Sequence, residues 1–416
     1  MLSGRDIILI SSIEWDFNWQ GHQEIARRLA EAGNRVLFIE NMGVRAPGLH
    51  DARRVASRFS HWLKSLPRGG VREVSKNLYV CSPLILPPFG SKLRHRLNQR
   101  ALLPMIRRIV RNLGFDPDII LTFLPTDTVA SLVRMLRKPE GIVIYYCIAD
   151  FAELAPRPED ILKSERSIIE MSDVLFAQSP QLAKHCSQNG KTIEIFPFGV
   201  NLDLFAKGNG QPNGSPEHDS ISASNDSAFD FMSKLPRPII GYVGGIHRFF
   251  DAKTMAAMAR ARQDWSWVLV GPLQTSPREL KGLPNVHLIG PQAHEKLPDY
   301  IRLFDVGIVP YLSNHYTATV VPTKINEYLA MGKPVVSTNL PEVNNFNGKH
   351  GVIITCPNRS VEFVAAIEKA LDPFAEKANA AHRRTVAELN GWHERSERMS
   401  LVIERELLKK RSPAKY

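Results

Sequence analysis

The chain has few of the features that mark several large protein classes. Only four of its 416 residues are cysteine (Cys81, Cys147, Cys186 and Cys356), and they are scattered with no CxxC spacing. Thiols in that pattern fit reduced cysteines inside a cell and supply neither a disulfide framework nor a zinc site. No apolar run approaches the roughly 20 residues needed to span a bilayer. Residues 1–10 lack a charged region followed by a long apolar core, so they read as a first strand rather than a signal peptide. After that strand the sequence runs SSIEWDFNWQG over 11–21. It is not GxGxxG, which argues against a nicotinamide enzyme, and no GxxxxGK[ST] occurs to suggest a P-loop ATPase.

Acidic residues are scarce in one region. The chain carries 53 Lys and Arg against 42 Asp and Glu, a net charge of +11. Residues 42–111 hold 15 Lys or Arg against only Asp51 and Glu73, an excess of 13. Within this stretch 91–100 and 105–111 read as helices that mix basic with apolar residues. Such helices suit an anionic membrane surface. The bland alternative is a solvated basic face. Nucleic acid is not expected, because no helix-turn-helix, zinc-finger or RNP pattern accompanies the charge.

What is present is a globular α/β pattern long enough for two domains. Strands are expected over 6–10, 35–40, 78–81, 118–123, 142–146, 174–177 and 192–196, with a helix over 22–32 closed by Gly33. Residues 208–230 are rich in Gly, Ser, Asn and Pro and read as a flexible linker. The pattern restarts with strands over 238–243, 267–270, 286–289, 306–309 and 334–338. A charged helix is expected over 392–410. The division is 1–207 as an N-terminal domain, 208–233 as linker or insertion, 234–391 as a second domain and 392–416 as a C-terminal helix.

Polar groups gather in 321–336, VPTKINEYLAMGKPVV. Pro322 and Thr323 suit a helix start, and Lys324 and Glu327 fall three apart on nearly one helical face. Gly332 stops the helix before a β-branched strand. Free N–H groups at such a start attract anions, and a carboxylate one turn on can accept from ribose hydroxyls. Gly244 and Gly245 end the strand 238–243 in a turn that admits a phosphate, and Arg248 follows where it can pair with a diphosphate. In the first domain Trp15, Trp19, Gln20 and His22 lie beyond the first strand, where parallel sheets bind ligands. The two Trp residues can stack on a sugar ring or pack against neighbouring loops. Asp150 ends the strand 142–146 as an acceptor-side carboxylate or a helix cap. Asp116 and Asp118 have DxD spacing, but Pro117 between them and the strand after them suggest a turn rather than a metal site.

The stretch 321–336 resembles the donor-site signature of GT-B glycosyltransferases of the family 4 type, the group 1 enzymes of bacterial cell-surface polysaccharide biosynthesis. Segments 165–182 and 196–205 resemble the family as well, and the likeness is strongest over 238–343. The resemblance implies an α/β fold of two Rossmann-like domains facing an interdomain cleft, with the C-terminal helix crossing back to the first domain. It implies that the second Glu of the signature, here Glu327, holds the ribose. The first would fall on Thr319, so this chain departs from the pattern there. Lys253 would join Arg248 on the diphosphate, and Asp150 would face the acceptor. The implied activity is transfer of a sugar from a nucleotide-sugar to a saccharide or lipid-linked acceptor. Retention of configuration is the family default, and no metal is needed. Asp150, Arg248 and Lys324 are the implied catalytic residues, in a cytoplasmic protein that can sit peripherally on the inner face of the cell membrane. Two other readings stay open: a sugar-nucleotide epimerase, and a catalytically weak component that binds saccharide or membrane, which the missing first Glu favours.

Overall fold

Residues 7–10, 36–39, 119–121 and 142–147 are almost wholly excluded from solvent. Runs this apolar on both faces belong to parallel strands covered by helices on each side. The computed structural model describes residues 1–16, 18–40, 70–83, 96–187, 191, 193–206 and 227–411, without the side chains of 373–378. Most of the expected linker, and the basic stretch over 41–69 and 84–95 including Arg94, lie outside the described residues. The chain divides into two units, 1–197 with 395–416, and 198–394.

The first unit is built on β1 (Asp6–Ile10), β2 (Arg35–Ile39), β3 (Val71–Ser75), β4 (Leu78–Cys81), β5 (Ile119–Thr122), β6 (Ile142–Cys147), β7 (Val174–Ala177) and β8 (Ile193–Ile195). Their order is β3-β4-β2-β1-β5-β6-β7-β8. Every pairing is parallel except β3 with β4. Strand β3 was not expected from the sequence. Its residues Arg72 and Glu73 interrupt any apolar run, and it forms only as the edge of a hairpin turned at Asn77, φ +65°.

The second unit holds β9 (Ile239–Val243), β10 (Ser266–Val270), β11 (Val286–Gly290), β12 (Val306–Val309), β13 (Val335–Thr338) and β14 (Ile353–Cys356). All are parallel, in the order β11-β10-β9-β12-β13-β14. This is the doubly wound order, and its direction reverses between β9 and β12. Ligands of such sheets bind beyond the carboxyl ends of the strands at that reversal. Strand β14 was also missing from the sequence reading.

The helix Trp392–Arg411 starts in the second unit and runs in the first from Arg395 on. Met399, Ile403 and Leu407 recur every four residues and are buried. Met399 and Ile403 line a small cavity with Ile25, Leu29 and Leu121. Lys410 Nζ lies 2.7 Å from Asp173, and Arg411 pairs with Asp118. Asp116, the other acid of the DxD-like triplet, pairs with Lys138. Both acids therefore serve ion pairs at the amino end of β5, away from the ligand end of the sheet.

Candidate functional site

Strand β9 delivers Gly244, and β12 delivers Pro310 and Tyr311, to the two sides of the reversal in the second unit. Gly244 has φ +125°, and its N–H bonds to Val270 O at 2.8 Å. A Cβ at Gly244 would stand 3.0 Å from Lys324 Cε and 3.3 Å from Nζ. Gly271, φ +151°, lies so close that its Cβ would meet Gly244 O at 2.0 Å. Glycine is therefore required at both positions, for backbone geometry and for approach.

Lys324 opens the helix Lys324–Ala330 and is only 9% exposed. Its Nζ donates to Tyr311 Oη at 2.6 Å and lies 5.0 and 4.9 Å from the ring centroids of Tyr242 and Tyr311. It makes no salt bridge among the described residues. Glu327 follows on the same helix, half-buried, and its carboxylate has no hydrogen-bond partner among the described residues. Burial raises its pKa, against the opposing pull of His294 and Lys324. The cation and carboxylate expected from the sequence thus stand on one short helix beside the glycine turn.

Pro322 and Thr323 stand at the helix start, as the sequence leads one to expect. Thr323 caps with no side-chain bond. The N–H groups of Ile325, Asn326 and Glu327 are taken by the carbonyls of Pro322 and Thr323, at 3.0, 3.0 and 3.4 Å. These bonds occupy three of the donors at the helix start, and Lys324 adds its own positive charge there. Thr319 Oγ1 donates to Tyr316 O at 2.9 Å and ends the helix His315–Ala318. Arg248 is exposed, with its guanidinium 4.8 Å from the Phe249 ring centroid. Lys253 is exposed on the first turn of the helix Ala252–Ala261, which Asp251 caps.

Five neighbours of this site were not singled out from the sequence. His247 Nε2 lies 3.3 Å from Tyr311 Oη, and Tyr242 Oη donates to Gly245 O at 2.8 Å. Phe249 and Tyr316 stack with centroids 4.4 Å apart. A signal for Tyr311 was available, since it follows β12 as Gly244 follows β9.

The residues singled out in the first unit are tied to the protein. Trp15 meets Phe38 edge-on at 5.0 Å and Trp19 at 5.7 Å, and Trp19 Nε1 donates to Glu24 at 3.0 Å. Gln20 N–H bonds to Gln23 Oε1 at 3.0 Å, and the Gln23 amide holds the carbonyls of Trp15 and Asn18 at 3.2 and 3.3 Å. Gln23 is therefore the clamp of this loop, a role not visible in the sequence. His22 is corrected from an acceptor contact to a core residue. Its ring is wholly buried, 3.0 Å from Ser12 Oγ and 4.2 Å from the Phe123 centroid, and burial lowers its pKa to about 3. Asp150 is half-buried at the end of β6, and its carboxylate accepts from Ala152 N–H at 3.0 Å.

All four cysteines are free and buried. Cys147 and Cys186, 39 positions apart in the chain, place their sulfurs with a Glu165 oxygen within 4.8 Å. Glu165 already accepts from Tyr145 Oη at 2.5 Å and His185 Nε2 at 2.8 Å. Hydrogen bonding to Cys186 and burial push the Cys147 thiol well above its usual range. Glu165 is thus engaged in an internal ion pair with His185. The hydrogen bond to Glu165 raises His185 to about 9. A raised basic pKa contributes stability that is complete below the ordinary value of 6.5 and lost as pH rises through about 9. His185→Gln is expected to remove about 2 kcal/mol of that pH-dependent stability, discounted for partial exposure. Denaturant melts at pH 6 and pH 9.5 check this, and identical pH profiles for variant and wild type would refute it.

Residues 237–373 match the family profile described as Glycosyl transferases group 1. The matched residues lie within the second unit. The match contains Gly244, Arg248, Tyr311, Lys324 and Glu327. The chain is 29% identical over 245 residues to a Bacillus subtilis protein assigned as the teichuronic acid biosynthesis glycosyltransferase TuaH. That alignment covers 57% of this chain and 58% of the relative. The chain spans little more than half the length of the curated relatives it matches, 58% and 54%. Among solved structures, sucrose-phosphate synthase from Thermosynechococcus elongatus superposes with TM-score 0.70 at 17% identity, covering 97% of this chain and 99% of that one. Anabaena HepE in complex with UDP and glucose gives TM-score 0.65 at 14% identity, covering 97% and 100%. The fold is GT-B, and the matched residues lie in its second Rossmann-like unit.

Proposed function

We propose that the protein is a glycosyltransferase that moves a sugar from a nucleotide-sugar donor to a cell-surface saccharide or lipid-linked acceptor. The observation that carries this reading is the Lys324 ammonium, buried and without a carboxylate partner among the described residues, beside the Gly244–Gly245 turn at the sheet reversal. A diphosphate seated on the turn meets Lys324 at once and Arg248 at the rim, while Glu327 accepts from the ribose. As the glycosidic bond to the donor breaks, negative charge develops on the leaving diphosphate, and the two cations stabilise it. This reading needs no metal, and the anomeric configuration is retained. The acceptor side falls to the first unit, with Asp150 at the carboxyl end of β6. The UDP and glucose in the Anabaena structure support the donor class. The relative assigned to teichuronic acid biosynthesis supports a surface polysaccharide as acceptor.

Thermal melts with UDP, GDP, ADP and NAD test the donor. One nucleoside diphosphate at a hundred times its Kd is expected to raise the melting temperature by about 5 °C, and NAD by nothing. No shift with any of them would favour the catalytically weak binding component instead.

The same reading places the protein peripherally at the inner face of the cell membrane. No helix among the described residues is long and apolar enough to cross a membrane. Arg107, Arg108 and Arg111 are exposed on the helix Leu103–Asn112, opposite buried Ile106, Ile109 and Val110. Wild type is expected to sediment with phosphatidylglycerol vesicles, and a variant with Arg94, Arg96, Arg107 and Arg108 changed to Glu is expected to stay in solution. Equal sedimentation would reduce this face to a solvated surface.

A further inference from the structure

A buried cation bonded to a neutral phenol retains donors for an anion. Lys324 Nζ has three N–H groups, and Tyr311 Oη takes one at 2.6 Å. The two aromatic faces flanking the ammonium hold it without neutralising it. What fixes the phenol can be worked out proton by proton. Phe249 N–H donates to His247 Nδ1 at 3.1 Å, so that nitrogen carries no proton. Burial, then Lys324 and Arg248, lower the His247 pKa to about 4, which leaves the ring neutral at pH 7. Its single proton is therefore on Nε2, which donates to Tyr311 Oη at 3.3 Å. Tyr311 thus accepts from both Lys324 and His247. Its own proton has Tyr242 Oη at 3.5 Å as acceptor, because Tyr242 spends its proton on Gly245 O. The hydrogen bonds run in one direction, from the ammonium and imidazole through two phenols to the glycine turn.

We propose that Tyr311, oriented by His247, is the positioning residue that sets the Lys324 ammonium against the Gly244–Gly245 turn for a nucleoside diphosphate. The inference rests on the donor-site reading above. It adds that discrimination for a diphosphate over a monophosphate depends on the phenol hydroxyl as well as on the lysine. A lysine on a four-carbon stem is otherwise free to leave the turn, and ordering it at binding would cost affinity. The chain also explains why residues 64 and 13 positions from Tyr311, His247 and Lys324, converge on one oxygen.

The test is calorimetric binding of UDP and UMP to wild type, Tyr311→Phe, Lys324→Met and the double variant, with GDP/GMP and ADP/AMP as alternative pairs. Tyr311→Phe is expected to raise the Kd of the diphosphate about tenfold and to change that of the monophosphate less than about twofold. In the Lys324→Met background the same change is expected to have no further effect. His247→Ala is expected to weaken the diphosphate in the same direction, and His247→Gln, which keeps an N–H donor, to restore it. These two variants carry the test if Tyr311→Phe does not fold. Unchanged diphosphate affinity in both Tyr311→Phe and His247→Ala overturns the inference. So does an equal loss for diphosphate and monophosphate together with a lower melting temperature, which marks a merely structural role. Wild type that binds none of the three diphosphates overturns the donor-site reading itself, and the inference with it.

Discussion

Glu327→Ala is expected to weaken nucleoside diphosphate binding about a hundredfold while leaving the free protein as stable as before. The two halves of this expectation have one cause. Among the described residues no donor satisfies the Glu327 carboxylate, and burial raises its pKa. A half-buried carboxylate without a hydrogen-bond donor adds little to the stability of the unliganded protein. Two ribose hydroxyls would satisfy it, and hydrogen bonds to a charged group contribute about 1.5–3 kcal/mol each. A net loss of about 3 kcal/mol corresponds to the hundredfold change. The substitution removes a half-buried carboxylate that makes no hydrogen bond among the described residues, so the melting temperature without ligand is expected to hold. Melts with and without UDP measure both quantities. Unchanged affinity in the variant would remove Glu327 from the site, and a large fall in stability without ligand would make it a structural residue.

Lys324→Met is expected to lower kcat by about a hundredfold to a thousandfold, with a smaller effect on KM. Charge on the diphosphate grows as the bond to the sugar breaks, so a cation held beside it stabilises the transition state more than the ground state. Methionine keeps an unbranched stem of similar bulk between the Tyr242 and Tyr311 rings, so the packing survives and the charge alone is lost. The measurement is turnover of the nucleotide-sugar that the thermal-shift series selects, in wild type and variant at saturating donor. A raised KM with unchanged kcat would assign Lys324 to uniform binding of the donor and take it out of the chemistry.

Local pattern made part of this site legible and left the rest hidden. Lys324, Glu327 and Gly332 sit within nine residues of one another, so spacing alone puts the cation and carboxylate on one helix and ends it. The glycine pair after β9 was equally local. Thr323 takes the cap position that spacing assigns it, but its backbone is helical there and its side chain makes no cap bond, which spacing does not encode. His22, by contrast, misled. The helix Gly21–Glu31 is nearly all buried on its first turn, so the ring turns toward Ser12 and Phe123 instead of solvent. The edge strand β3 carries adjacent charges, Arg72 and Glu73, on its two faces, and apolar periodicity cannot find such a strand.

The sequence by itself determined two parallel α/β units, the donor-side helix with Lys324 and Glu327, and the turn at Gly244. Each is encoded by residues within a few positions of one another, where hydrophobic period and backbone preference act directly. Only the tertiary structure decided that Tyr311 and His247 meet Lys324, that Cys147 and Cys186 meet Glu165, and that Gln23 clamps the loop holding Trp15 and Trp19. Parallel strands are joined by crossovers of a dozen residues or more, so neighbours at the carboxyl edge of the sheet come from distant parts of the chain. The strand order that brings them together is settled by the packing of whole elements, which short-range spacing does not record.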